Sequence, residues 1–409
     1  MTGFQALERS HDHGQADTAG VSAGTPVAAY AVARLTLRDY RNYQAARLQL
    51  ATDTRLVVLT GDNGAGKTNL LEAISYLSPG RGLRGAALSD ITRQGAAAWA
   101  VAADTTGPHG DCAIGTGIEV AASAADGIDG DGLALRRVAR QDGQPVSTAA
   151  LSAVMQVNWL TPQMDRLFLE GPSARRRFLD RLVMALHPGH GREVAAYERA
   201  MRERNRLMME GRPDPVWLTA LEGRMAEHGV AVAAARLDAV ARLQAAVELQ
   251  DSSFPVPDLA LAGSVEEDLG HCPAVEAEDR FKKRLMAARG RDAAHGRSSD
   301  GVHLTDFHAR HRAKNQDARQ CSTGEQKALL IGIVLAAARL ARIEAGAVPV
   351  LLLDEVAAHL DARRRGALFD EIDALGAQTW LSGTDAALFE ELTGRAQFFR
   401  VGGGVITPT

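Results

Sequence analysis

Apolar and polar positions follow three rhythms along this chain, and each points to a different kind of element. Ala33-Arg34-Leu35-Thr36-Leu37-Arg38 alternates with a period of two, which predicts a half-buried antiparallel strand. Asp39-Tyr40-Arg41-Asn42-Tyr43 reads as its turn into Arg47-Leu48-Gln49-Leu50. Leu56-Val57-Val58-Leu59 and Val350-Leu351-Leu352-Leu353 are unbroken apolar runs of strand length, suited to parallel strands covered on both faces. From Ser173 to about Asp251 apolar residues recur at helix spacing. Leu218, Leu221, Met225, Val232, Val240, Leu243 and Val247 step by three, four or their sums after the break Gly211-Arg212-Pro213-Asp214-Pro215, which predicts two packed helices. A helix of about 30 residues is only about 45 Å long, so any arm is short.

The remaining segments are weaker. Pro79-Gly80-Arg81-Gly82 ends a helical pattern, and the stretch to about Val138 reads as antiparallel strands separated by turns such as Asp126-Gly127-Ile128-Asp129-Gly130-Asp131-Gly132. Val154 to Leu160 reads as one more buried strand, ending at Thr161-Pro162. Ser252 to Glu278 and Gly290 to Gly301 read as loops or weak strands, Ala328 to about Glu344 as a long apolar helix, and Gln378 to Ser382 as the last strand.

One junction between rhythms carries chemistry. Leu56–Leu59 is followed by Gly61-Asp62-Asn63-Gly64-Ala65-Gly66-Lys67-Thr68, and that by the helical run Asn69 to Leu77. Strand, glycine-rich loop and helix in this order make a phosphate cradle, because the glycines let backbone N–H groups point inward and the positive helix end favours an anion. Lys67 then reaches the β and γ phosphates of a nucleotide. Thr68 offers its hydroxyl to Mg²⁺, a small hard ion that prefers oxygen. A loop that merely turns a strand into a helix would not need the full eight-residue pattern.

The second apolar strand delivers Asp354-Glu355 at its carboxyl end, where two adjacent carboxylates are costly without a cation or hydrogen bonds. Asp354 is placed to hold Mg²⁺ through water, and Glu355 to polarise the attacking water as general base. In isolation the pair would also read as a helix-capping Asp beside a surface Glu. Cys321-Ser322-Thr323-Gly324-Glu325-Gln326-Lys327 opens the long apolar helix. Its N-terminus is either a second anion site, with Ser322 and the Gly324 backbone as donors, or an ordinary helix cap. Gly383-Thr384-Asp385 follows the last strand, where a sensor of the γ phosphate would sit.

Composition narrows the setting. The 409 residues suffice for two or three domains, and no apolar run approaches the roughly 20 residues of a membrane span, so a soluble protein is expected. Met1 to about Val27 has neither the basic start nor the apolar core of a secretory signal, and no periodic apolar face, so it reads as a disordered extension. Cys112, Cys272 and Cys321 lack metal-ligand spacing and point to a reducing cytoplasm. A net charge of −4 requires that any nucleic acid be held by local patches. Arg175, Arg176, Arg177, Arg199, Arg202, Arg204 and Arg206 gather in the helical insert. They are a solvated helix face, a set of phosphate contacts or a protein-binding surface.

Thr68 and Ser322 lie 254 residues apart, yet both belong to phosphate-type turns, and the second falls between the loop and the carboxylate strand. In that order the chain resembles the ATP-binding-cassette (ABC) ATPases. The resemblance implies an α/β fold: an ABC-type head with a phosphate loop on a mixed sheet, plus a smaller, mainly helical subdomain with a short arm. It implies Ser322 to Gln326 as the signature motif, His359-Leu360-Asp361 as the D-loop, and Thr384-Asp385 at the switch position, where the usual histidine is absent. It makes Gln94 the Q-loop glutamine, a metal ligand beside Thr68 and Asp354. Catalytic roles then fall to Lys67, Glu355 and Asp385. Nucleotide contacts fall to the loop 61–68, Arg41, Asn42, Ser322, Gly324, Gln326 and Asp361.

Within this superfamily the chain is similar to the RecF family over about residues 32 to 400. Arg38-Asp39-Tyr40-Arg41-Asn42-Tyr43, Leu160-Thr161-Pro162 through Gly171-Pro172-Ser173, Arg175 to Asp180 and Arg202-Glu203-Arg204-Asn205 carry the likeness. Gly301-Val302-His303-Leu304-Thr305-Asp306 falls on a family Gly-Pro-His-Arg-Ser/Thr-Asp pattern, with Val302 and Leu304 in place of Pro and Arg. The likeness implies a disordered extension at 1–28, head segments at 29–160 and 301–409, and the helical subdomain at 161–300. It implies ATP-dependent homodimers, DNA binding at gaps and junctions, slow DNA-stimulated ATP hydrolysis, and work with RecR and RecO in loading RecA. A transporter's nucleotide-binding subunit would not need 254 residues between loop and signature. A structural-maintenance (SMC) or Rad50-like clamp would need long heptad runs, which about 80 residues split by Pro213 and Pro215 do not supply.

Overall fold

The computed structural model describes residues 28–120, 135–210, 214–248 and 252–409. All but the last residue of the expected N-terminal extension, the turn 126–132 and the segment 211–213 lie outside them. In chain order the first part comprises β1 (Ala28–Ala29), β2 (Ala31–Tyr40), β3 (Tyr43–Gln49), β4 (Leu56–Thr60), α1 (Lys67–Ser75), α2 (Leu88–Ile91), β5 (Ala100–Thr106), β6 (Cys112–Val120), β7 (Leu135–Gln141), β8 (Gln144–Val146) and β9 (Val157–Leu160). Then come α3 (Pro172–Leu186), α4 (His190–Met209), α5 (Pro215–Glu248), β10 (Pro257–Ala262), α6 (Ser264–His271), α7 (Ala274–His295), β11 (Asp306–His311) and β12 (Gln316–Asp317). The chain closes with α8 (Thr323–Ala345), β13 (Ala347–Val348), β14 (Val350–Leu353), α9 (Ala362–Leu375), β15 (Thr379–Gly383), β16 (Ala396–Gly402) and β17 (Val405–Pro408).

Two six-stranded sheets hold α1 between them. One is ordered β17-β16-β4-β15-β14-β9, parallel except for β17; the other is the antiparallel β3-β2-β5-β6-β7-β8. Leu70, Leu71 and Ile74 of α1 pack with Val57 and Trp380 of the first sheet and Leu35, Leu37 and Val101 of the second, all fully buried or nearly so. The buried Gln378 amide stitches the sheets together. It accepts from the Val32 N–H (2.8 Å) and the Trp380 indole (3.1 Å), and donates to the Val32 carbonyl (3.0 Å). All four residues of β14 are buried, with β9 and β15 on its flanks and α8 in the core beside it, which explains its unbroken apolar run.

Three segments depart from the sequence-based expectation. The helical insert contains three helices before residue 250, because Pro188 cannot continue α3 and the chain restarts at His190. Of the stretches read as loops or weak strands, β10 is a strand, whereas α6 and the 22-residue α7 are helices. The buried Ala277, Phe281, Leu285, Ala288 and Asp292 of α7 recur at helix spacing despite Gly290. That helix stops at Gly296, in the left-handed region at φ 66°. Residues 379–383 are not the last strand, since β16 and β17 extend the parallel sheet beyond β4.

Several arginines of the insert turn inward. Arg175 makes a bidentate pair with Asp306 (2.7 and 2.9 Å), and Arg176 donates to the Thr305 carbonyl (2.7 Å), tying α3 to the start of β11. Val302 is buried in one cluster with Tyr197, Met225 and Phe281, while Leu304 is half exposed. Arg204 has no exposed surface. It bonds Glu222 (3.1 Å), Asp292 (2.8 Å), Ser298 (3.0 Å) and the Leu285 carbonyl (2.8 Å), joining α4, α5 and α7. These residues are structural, which leaves Arg177, Arg199, Arg202 and Arg206 exposed. Arg204→Ala would leave the buried Asp292 without its cation, and Glu222 with Arg289 alone, and is expected to cost about 3–5 kcal/mol. Urea unfolding measures this; a loss under about 1 kcal/mol would contradict the packing described.

Candidate nucleotide-binding site

The phosphate loop is shaped by positions where no side chain fits. At Gly61 (φ 148°) an added Cβ would lie 2.2 Å from the Val401 carbonyl oxygen of β16. At Gly66 (φ 114°) it would meet the Asn42 amide at 2.6 Å and the Tyr43 hydroxyl at 2.8 Å. Asn42 and Tyr43 brace the loop from outside: Asn42 Nδ2 donates to the Ala65 carbonyl (3.1 Å), and the Tyr43 hydroxyl to the Gly66 carbonyl (3.0 Å). Arg41 sits behind α1, with its guanidinium on the buried Glu72 carboxylate by two 2.8 Å bonds and on the Asp90 carbonyl. The Glu72 hydrogen bond leads in holding the Arg41 pKa above its ordinary value. Lys67 opens α1 and folds back over the loop, donating to the carbonyls of Gly61 (2.7 Å) and Asp62 (2.9 Å).

Thr68, Asp354, Ser382 and Glu355 meet where α1, β14 and β15 converge. The Thr68 hydroxyl donates to Asp354 (2.9 Å to Oδ2), and the Ser382 hydroxyl donates to Asp354 Oδ1 at 2.6 Å. Ser382 Oγ in turn accepts from the Glu355 N–H (3.0 Å). Glu355 adopts φ 52°, a left-handed conformation that costs a non-glycine residue about 1–3 kcal/mol and persists only where its surroundings enforce it. A hydroxyl and a buried carboxylate in direct contact are the hard oxygen donors that Mg²⁺ requires, so the residues present fit that ion. Gln94 is not among the contacting side chains. It is exposed on a turn whose Arg93 is pinned to Asp39.

The turn before α8 is built as a helix cap. Ser322 Oγ accepts from the Glu325 N–H, and Glu325 accepts from the Ser322 N–H at 3.0 Å. Hydrogen bonds from Lys314 and then Ser322 bring the Glu325 carboxyl down to about 2. Gln326 is buried beneath the turn with its amide on the Cys321 carbonyl (2.9 Å), while Gly324 is partly exposed. Among the described residues no hydrogen bond or ion pair joins this turn to the loop 61–68. Asp361 caps α9 through the Arg364 N–H (2.8 Å), and Asp385 caps the turn after β15 through the Ala387 N–H (2.9 Å). Both are exposed.

Two contributors escaped the sequence reading. Ser382 was visible only as a strand residue, because the pairing of β15 beside β14 that brings it to Asp354 is set by the sheet and not by neighbouring sequence. Lys327 is a buried cation in the first turns of α8, where the polar start of the helix gives way to its apolar run. Burial pushes its pKa below the ordinary lysine value, against the opposing charges of Asp165, 3.3 Å away, and Glu355.

A glycine loop on a parallel strand, an acidic strand end beside it, and a separate capped turn on a long buried helix define an ABC-type ATPase head. The family model described as "RecF/RecN/SMC N terminal domain" matches residues 31–405. The DNA replication and repair protein RecF of Agrobacterium fabrum is 54% identical over 381 residues, covering 92% of this chain and 98% of the relative. That of Mesorhizobium japonicum is 50% identical over 382 residues with the same coverage. The chain belongs to the RecF family. Among solved structures, the recombination mediator protein RecF-ATPrS of the RecFOR pathway superposes with a TM-score of 0.78 at 21% identity, covering 93% of this chain and 98% of that one. An SMC head domain from Pyrococcus furiosus superposes at 0.51 and 14% identity, covering 93% and 96%. These likenesses show the shared fold.

Proposed function

We propose that this chain is an ATP-binding DNA-repair protein of the RecF kind, which dimerises through ATP, hydrolyses it slowly with stimulation by DNA, and acts at single-strand gaps and junctions. The observation that carries the reading is the convergence of Thr68, Asp354, Ser382 and the strained Glu355 beside the phosphate loop. Lys67 and the loop N–H groups bind the β and γ phosphates. Thr68 and Asp354 would hold Mg²⁺, which supplies positive charge to the phosphate oxygens when bound. Glu355 accepts the proton of the attacking water, and Ser382 fixes both carboxylate-bearing residues relative to β15.

The capped turn at Ser322 makes no bond to its own loop, so it is available to the γ phosphate of a second copy. That favours a dimer with two shared sites. RecF-named relatives at about half identity over nearly their whole length support a replication and repair role, and the proposal takes RecR, RecO and RecA as partners and the cytoplasm as setting. No described helix is long and apolar enough to cross a membrane. An SMC-like clamp is disfavoured, because the insert's helices of 15, 20 and 34 residues pack on one another and on the head. Sedimentation with ADP, ATP and gapped DNA tests the proposal. Monomer with ADP, dimer with ATP and nucleotide-dependent association with gapped DNA are expected. A chain indifferent to nucleotide in all three would overturn it.

A further inference from the structure

The outer face of the antiparallel sheet carries an ordered set of arginines around a floor of very small residues. Strand register aligns Arg47, Thr36, Ala102, Gly115 and Arg140 in one row across β3, β2, β5, β6 and β7. The next row reads Ala45, Arg38, Ala100, Gly117 and Val138. Arg136 lies farther along β7 opposite Glu119, and Arg34 of β2 pairs with Asp104 of β5 at 2.5 Å. Arg38, Arg47, Arg136 and Arg140 are exposed, as are Thr36, Ala45, Ala100 and Ala102. Among the described residues these five arginines are accompanied by Asp104, Glu119 and Asp39, the last 3.4 Å from Arg38, on a chain whose net charge is −4.

This floor runs against strand propensity, since exposed strands favour branched and long side chains over Ala and Gly. Gly117 has an internal reason, because a Cβ there would meet the Trp99 carbonyl oxygen at 2.6 Å. Gly115 has none: the nearest atom to an added Cβ is Arg140 Cβ at 4.0 Å. Glycine in a strand without an internal reason fits close approach by another molecule.

We infer that this face is a docking surface for duplex DNA, with Arg38 and Arg47 on one phosphate ridge and Arg136 and Arg140 on the other. The inference rests on the DNA-repair reading above and assigns the surface that reading left open. Strands lie about 4.8 Å apart, so β7 lies about 14 Å across the sheet from β2 and about 19 Å from β3. That separation is of the order of the roughly 12 Å major groove, so long arginine side chains from the two sides can each reach a phosphate ridge. Arginine suits phosphate because its planar fork makes paired hydrogen bonds. Apart from the short Thr36 hydroxyl the floor offers only Ala, Gly and Val138 to base edges, so binding depends little on sequence. Single strands are disfavoured because the nearby Tyr40, Tyr43 and Trp99 are all buried, leaving no aromatic platform for bases.

The test measures affinity of the full chain, saturated with ATP, for a blunt duplex and for gapped DNA across a salt series. Combining Arg38→Ala, Arg47→Ala, Arg136→Ala and Arg140→Ala should lower the slope of log affinity against log salt by about 3–4. A second variant, Gly115→Leu, raises the floor into open space and should weaken duplex binding about 10-fold with no change in ATP affinity. The control variant combines Arg199→Ala, Arg202→Ala and Arg206→Ala on α4 and should leave the slope unchanged. An unchanged slope in the sheet variant, or a loss confined to the α4 variant, overturns the inference. Failure of the wild-type chain to bind either DNA would instead sink the repair reading on which it depends.

Discussion

Glu355→Gln keeps ATP binding and lowers hydrolysis by about 100-fold or more, the loss expected when a positioned general base is replaced by its neutral isostere. Geometry assigns the role. Asp354 already accepts two hydroxyls, from Thr68 and Ser382, so the carboxylate committed to the metal side is spoken for. Glu355 follows it on a backbone at φ 52°, with its N–H held by the Ser382 hydroxyl, and its carboxylate accepts no such hydroxyl among the described residues. The amide of Gln fills the same space and leaves that backbone undisturbed, so binding survives while proton acceptance is lost. Steady-state turnover of Glu355→Gln at the wild-type rate would remove Glu355 from the mechanism.

The parts legible in the sequence are those whose chemistry is contiguous. The loop 61–68 between an apolar strand and a helix, and Asp354-Glu355 after a doubly buried strand, each need only local spacing. The structure places both at the carboxyl ends of parallel strands of one sheet, with β15 between them. Alternation in residues 33–38 likewise foretold β2 and its partner β3. What stayed hidden depends on pairs distant in sequence. Arg175 meets Asp306 131 positions away and Arg204 meets Asp292 88 positions away, so a run of arginines that reads as a basic surface divides into buried ties and exposed charges. Helix α7 was obscured because Pro273, Gly290 and its many charges mask a correct apolar spacing. The role of Asn42 as a brace on Ala65 is equally invisible, since nothing local to residue 42 shows that the loop will fold against it.

The largest effect on assembly concerns the sharing of sites between two chains. Lys67→Met removes the ammonium that folds over the loop, and Ser322→Arg places a bulky side chain at the N-terminus of α8. Each change alone should abolish the ATP-dependent dimer, because in a dimer of identical mutants both composite sites carry the lesion. In a mixed dimer the lesions segregate. One site combines the Lys67→Met change of one chain with the Ser322→Arg change of the other, while the second joins an intact Lys67 to an intact Ser322. Nucleotide-dependent association should therefore return on mixing, whatever the rate of hydrolysis.

The most direct measurement is sedimentation of the Lys67→Met chain, the Ser322→Arg chain and their equimolar mixture, at equal total protein and with ATP above the affinity of the intact site. The account predicts monomers in each separate sample and a dimer fraction in the mixture, absent when ADP replaces ATP. A mixture no more dimeric than either variant alone would contradict the claim that the turn at Ser322 and the loop at Lys67 meet across two copies of the chain.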